Sequence, residues 1–197
     1  MLQNNSNLLL MKKIIILILI SFWAHYGNCQ QVKVVYPGYT SYYNNITHIP
    51  DSVIWIAVPH KKVVGRESGF HPTGGRVNTN KDYAKSGYDQ GHNCDASDEN
   101  GDSTDEYNSF DQANLFPQKA ALNRITWLAL ENYTRELNRT VKVKTSWCDT
   151  IGYLKPDNIL IPKFCIKELW YNGQYEKYIM PNDDTVKLHP FTYYKIK

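Results

Sequence analysis

The sequence predicts an α+β fold, with strands on either side of one main helix, and three observations carry that prediction. Leu122, Ile125, Ala129, Tyr133 and Leu137 recur at steps of three or four behind Pro117, giving one apolar helical face over roughly residues 118–138. β-type runs stand before it at 32–36 and 53–58, and after it at 141–147, 159–169 and 175–180. No internal repeat or linker divides the chain, and 197 residues with 42% hydrophobic content suit one domain with a buried core.

At the N-terminus, Met11-Lys12-Lys13 leads into an apolar run over 14–20 and then Ser21-Phe22-Trp23-Ala24. A positive start, a short apolar core and small or polar residues make a secretory signal peptide. It is assigned to residues 1–29, with Met11 as an alternative initiator and residues 30–197 as a single domain. The run is shorter than the roughly 20 residues a membrane span needs. A secreted or periplasmic location follows, with a lipid-anchored Cys29 as a variant of it. Removing the leader takes Lys12 and Lys13 from the formal +3 and leaves 20 basic against 19 acidic residues, a net of +1. Bulk charge therefore neither favours nor opposes a nucleic-acid partner; local clusters of cations would have to do the binding.

An exported chain folds where cysteines pair. Beyond the leader lie Cys94, Cys148 and Cys165, an odd number. Cys148 and Cys165 flank the turn-rich stretch 149–158 between two β-type runs and are the expected disulfide. There is no C-x-x-C spacing of the kind a structural zinc site uses. Residues 65–87, rich in Gly, Asn and Thr, read as surface loop. The acidic segment 95–111 has the composition of a calcium loop but no register that places its acids, Gly and Glu correctly, so it reads as a solvated loop. Along the helix a second row, Asn123, Trp127, Glu131 and Arg135, runs at steps of four on the edge of the apolar face.

The residues that carry chemistry are Gly87-Tyr88-Asp89-Gln90-Gly91-His92-Asn93, then Asn114-Leu115-Phe116-Pro117-Gln118, then Leu122-Asn123-Arg124 with Trp127 and Leu130-Glu131. This series resembles the DNA/RNA non-specific endonuclease family, a branch of the ββα-metal nucleases. That family shows Asp-Arg-Gly-His, Asn-x-x-Pro-Gln, and Leu-Asn followed by Trp and Leu-Glu at steps of four. The resemblance is densest over 87–135 and continues weakly through Ile161-Pro162-Lys163 and Tyr178-Ile179-Met180-Pro181-Asn182. It implies a ββα-metal nuclease core: an antiparallel sheet with one main active-site helix.

The resemblance also implies the roles. His92 is the general base, an imidazole whose ordinary pKa of about 6.5 suits proton removal near neutrality. Asn123 is the sole direct protein ligand of Mg²⁺, with Mn²⁺ as a substitute. Glu131, eight residues on and nearly in line, holds metal-bound water. Asn114 supports the site, and Arg135 contacts phosphate, with Arg76 as a second upstream arginine. Gln90 stands where the family has arginine, which removes a cation beside the phosphate. DNA and RNA are the implied substrates, cut to 5′-phosphate ends. Taken singly each residue has a plainer reading: surface His, exposed helix Asn, an i,i+4 Glu–Arg pair, core Trp. Linked motifs at fixed spacing outweigh those readings. Two rivals stand beside the enzyme: a catalytically inactive nucleic-acid-binding domain of the same fold, and an exported calcium-binding module built on 95–111.

Overall fold

In the computed structural model, residues 31–59, 69–74, 76, 79–96 and 103–197 are described. The expected signal peptide, with Met11 and Cys29, lies outside them. Strands β1 (Gln31–Val35), β2 (Tyr39–Asn44) and β3 (Ile49–Ala57) form a meander. Strands β4 (Asp89–His92) and β5 (Leu115–Gln118) pair apart as a small antiparallel sheet. Then β6 (Val141–Leu154), β7 (Ile159–Tyr171), β8 (Gln174–Pro181) and β9 (Lys195–Ile196) complete one seven-stranded sheet in the order β1-β2-β3-β6-β7-β8-β9. Every pairing in it is antiparallel. The described helices are α1 (Asn80–Tyr83), α2 (Ser103–Ser109) and α3 (Leu128–Glu136). Residues 31–197 form one compact unit, and the fold is α+β as predicted.

Alternation of side chains explains the large sheet. On β3, Val53, Trp55 and Ala57 are buried while Ile56 between them is half exposed; Val141, Val143 and Thr145 repeat the pattern on β6. Register aligns Trp55 with Val143 and Val143 with Leu169, so a covered row crosses three strands. A slip of one residue would turn that row to water. Leu122, Trp127 and Leu130 of the helical segment join the same core as Trp55, Leu169 and Tyr178.

Several expectations change. Pro117 does not open the helix: it and Gln118 belong to β5, paired with Gln90 and Asp89, and helical structure begins after Lys119. Its first part, Leu122–Trp127, is π-helical and leads into α3. The wider turns shift the buried face to Leu122, Thr126, Trp127, Leu130, Glu131 and Thr134, and leave Ile125 53% exposed. The expected edge row thus lies nearer the covered side than the expected apolar row. Strand β6 runs on through most of the 149–158 stretch, with a bulge at Thr150/Gly152. Cys148 pairs with Phe164 and Cys165 with Trp147, one residue out of step, so the two thiols face opposite sides of the sheet. Cys148 is exposed, Cys165 is buried, and the expected disulfide is not formed. Nor are 65–87 and 95–111 simply surface loop in their described parts: Asp82, Tyr83, Glu106, Ser109 and Asp111 are all buried.

Candidate active site

The small β4–β5 sheet carries His92. Leu115 and Phe116 anchor β5 in the core, and polar side chains hold the rest. Asn114, fully buried, accepts from Cys94 N (2.8 Å) and donates to Cys94 O (2.8 Å) and Ser109 O (2.8 Å). It thereby fixes the backbone that leaves His92. Asn182, at the end of β8, accepts from Lys119 N (2.8 Å) and donates to Pro117 O (2.8 Å) and Pro162 O (2.9 Å). One amide so ties the end of β5, the start of the helix and β7 together. Between them Gly91 lies so close to the buried Gln118 side chain that a Cβ there would meet Gln118 Oε1 at 1.9 Å. Only glycine fits.

The helical segment grips both ends of β4. At the start, Asp89 accepts from Asn123 Nδ2 (3.1 Å) and from the Arg124 fork, Nε at 2.8 Å and Nη2 at 2.7 Å. The Arg124 hydrogen bonds hold the Asp89 carboxyl below its usual range, against the opposing effect of burial and with help from Asn123. At the far end, Trp127 Nε1 donates to His92 O (3.2 Å). The half-buried His92 ring lies against Phe70, centroids 5.5 Å apart, and edge-on to Phe110 at 4.8 Å. With its nitrogen committed to Asp89, the Asn123 amide has its oxygen as the end available to a cation. That oxygen is a hard, uncharged donor.

The remaining predicted residues are placed as follows. Glu131 is buried and accepts from Lys167 Nζ at 3.5 Å. Arg135 forms an ion pair with Asp95, three residues past His92, and donates to Asn132 Oδ1 (2.6 Å). Gln90 donates to Asn80 Oδ1 (2.8 Å), and Asn80 donates to Phe70 O (2.9 Å), an amide relay to the backbone of the residue whose ring lies beside His92. Arg76 is corrected. Its side chain is 7% exposed and its guanidinium is held by Asp111 (2.8 Å), Thr73 and Tyr36, so it braces the fold instead of facing substrate. Two acids of 95–111 are likewise engaged, Asp95 with Arg135 and Asp111 with Arg76. Among the described residues no three His, Cys, Asp or Glu side chains group as a metal cage.

Sequence reasoning missed Asp89 and Arg124 as the clamp on Asn123, Asn182 as the tie, and Lys167 beneath Glu131. Asp89, Arg124 and Asn182 stand inside the motifs that carry the resemblance, and Lys167 occupies an inward position in the alternation Cys165, Lys167, Leu169, Tyr171.

Comparison with known proteins bears on this arrangement. Residues 25–197 match the family model described as DNA/RNA non-specific endonuclease. The chain is 29% identical over 136 residues to mitochondrial endonuclease G of Bos taurus, the match covering 57% of this chain and 46% of that protein. It therefore spans about half the length of that curated relative. A chain in the crystal structure of the EndoG/EndoGI complex, described in terms of the mechanism of EndoG inhibition, superposes with a TM-score of 0.72 at 21% identity. That match covers 84% of this chain and 80% of the other, and it speaks for the fold.

Proposed function

The chain belongs to the DNA/RNA non-specific endonuclease family, and from that premise we propose that it is an exported, Mg²⁺-dependent endonuclease that cuts DNA and RNA without sequence preference. Its α+β fold is that of the ββα-metal nucleases. The observation that carries the reading is the double grip on β4. One helical segment holds Asp89 through Asn123 and Arg124, and holds His92 O through Trp127, so the His92 strand and Asn123 are fixed in one frame.

His92 takes the proton from the attacking water, its ring kept in place by Phe70 and Phe110. Asn123 would hold the cation through its amide oxygen, and Glu131 would orient water around it. Bound there, Mg²⁺ (or Mn²⁺) would neutralise charge on the phosphate and on the departing 3′ oxygen, leaving 5′-phosphate ends. Tolerance of both sugars and all sequences would follow from contacts to backbone phosphates and none to base edges. Export follows from the leader pattern of residues 1–29; no described helix is long and apolar enough to cross a membrane.

The rival reading is a domain of the same fold that binds nucleic acid without cutting it. A plasmid-nicking assay across Mg²⁺, Mn²⁺, Ca²⁺ and chelator separates the two. Cleavage with Mg²⁺ that EDTA abolishes is the expected result, and retention of plasmid without nicking would favour the binder.

A further inference from the structure

Beneath the helix, β7 places a lysine where the covered face of the sheet calls for an apolar side chain. Lys167 is 1% exposed, flanked across the strands by the buried Thr145 and Tyr178. Its Nζ lies 3.5 Å from Glu131 Oε1, 4.2 Å from the centroid of Trp127 and 5.7 Å from that of Trp55. Trp127 and Glu131 are four residues apart on the helix, and Lys167 touches both. Burying an ion pair this deeply is a poor route to stability, because desolvation offsets most of the attraction. What such a pair supplies is direction: a carboxylate paired to a fixed cation has few orientations, and a cation over an indole face restrains the ring. The restrained ring is the one that donates to His92 O at 3.2 Å.

We propose that Lys167 is a positioning residue of the nuclease site, fixing the Glu131 carboxylate and the Trp127 indole together and, through the indole, the end of the His92 strand. The inference rests on the endonuclease reading above. At 1% exposure Lys167 touches no substrate; it acts through the two helix side chains, which face it from one side while the sheet holds it from the other. A lysine that merely filled space would be replaced without loss by methionine, which has similar length and greater affinity for such surroundings.

The test is a double-mutant cycle on the full protein, Lys167→Met with Glu131→Gln, read by plasmid cleavage and by hydrogen exchange without metal. Lys167→Met should lower kcat by about 10–100-fold, the usual weight of groups that orient a metal site's surroundings. KM for DNA should stay within about twofold, since no ground-state contact is lost. The double variant should be no slower than the slower single one, because both changes dismantle one arrangement. In the metal-free protein, amides 89–94 should exchange faster in Lys167→Met while those of β1 and β2 are unchanged. Should Lys167→Met not accumulate as folded protein, Lys167→Arg carries the same comparison, with a smaller loss confined to kcat and the same failure to add. Losses that multiply across the pair, a raised KM at unchanged kcat, or unaltered exchange over 89–94 would overturn the proposal. If the wild-type protein shows no Mg²⁺-dependent cleavage, the endonuclease reading falls, and the exchange experiment alone decides whether Lys167 holds the His92 strand.

Discussion

The two sheets of this protein are held together by different physics. The seven-stranded sheet is built from long strands whose apolar residues alternate, so its covered face is welded by burial, at roughly 1.5–3 kcal/mol for each large side chain. The β4–β5 pair has four residues in each strand and a glycine at its centre. Leu115 and Phe116 bury β5 in the core, but the strand that carries His92 is held by side-chain amides on backbone groups, Asn114 and Asn182 above all, and by Trp127, Asn123 and Arg124 reaching across from the helix. Apolar contacts are non-directional and would leave a short strand free to rock. Hydrogen bonds fix angle as well as distance, which is what a catalytic imidazole requires. The large sheet is where stability is made, and the small one is where geometry is made.

That contrast can be broken most sharply at His92. His92→Ala should cost about 10²–10⁴ in turnover, the usual weight of a positioned acid–base group, with far less change in DNA binding. Near-normal nicking by the folded variant would mean that the small sheet is not the seat of the chemistry.

Next in size is a stability comparison between the sheets. Asn114→Ala would strip partners from Cys94 N, Cys94 O and Ser109 O, all in buried surroundings. At about 1–3 kcal/mol for each of the three unsatisfied groups, the loss should be on the order of 3–9 kcal/mol. Leu169→Ala in the large sheet should cost about 2–5 kcal/mol, by leaving a cavity. Urea titrations of both variants check this. If Asn114→Ala proves nearly neutral, the small sheet is held by something other than its amides.

A smaller effect is expected at Gly91, where crowding replaces lost bonding. Gly91→Ala should destabilise by about 1–3 kcal/mol, since the new methyl enters the space of Gln118. Pairing it with Gln118→Ala should recover most of the loss, as melting temperatures would show; no recovery would mean that the backbone, and not the side chain beneath, sets the limit.

The smallest change is at Gln90, which lies on the small sheet but contributes neither to its buried bonds nor to the chemistry. Gln90→Arg should steepen the plot of log K against log salt by about one unit, with tighter DNA binding and little change in turnover. An unchanged slope would indicate that Gln90 serves only its bond to Asn80.

What the sequence shows of this molecule follows the same division. Strands β3, β6, β7 and β8 are visible because apolar alternation is a local signal. The β2 stretch Tyr-Thr-Ser-Tyr-Tyr-Asn hides among polar residues, although Tyr39, Ser41 and Tyr43 face inward. Strands β4 and β5 are four residues each and separated by a long excursion, so no window reveals their pairing; only motif resemblance marks His92 and Asn114. Arg76 misleads because the buried partner that claims it, Asp111, is remote in sequence and sits in what reads as a solvated loop. The disulfide expectation fails on a register offset of one, which spacing along the chain cannot express. The helix is visible, but its phase is not, because periodicity arguments assume a uniform turn.

That phase has a consequence for chain length. In an unbroken α-helix, Asn123 and Glu131 would stand about 80° out of line across their eight residues. Turns closed from i to i+5 contain more residues each, so Leu122–Trp127 absorbs part of that misalignment. Substitutions within the stretch leave this correction in place. Deleting one residue from it would leave the rest to close as ordinary α-helix, and Glu131 and Arg135 would turn about the axis relative to Asn123 by the difference between the two windings. The number of residues between Asn123 and Glu131 is therefore as much a part of the site as the side chains at its two ends.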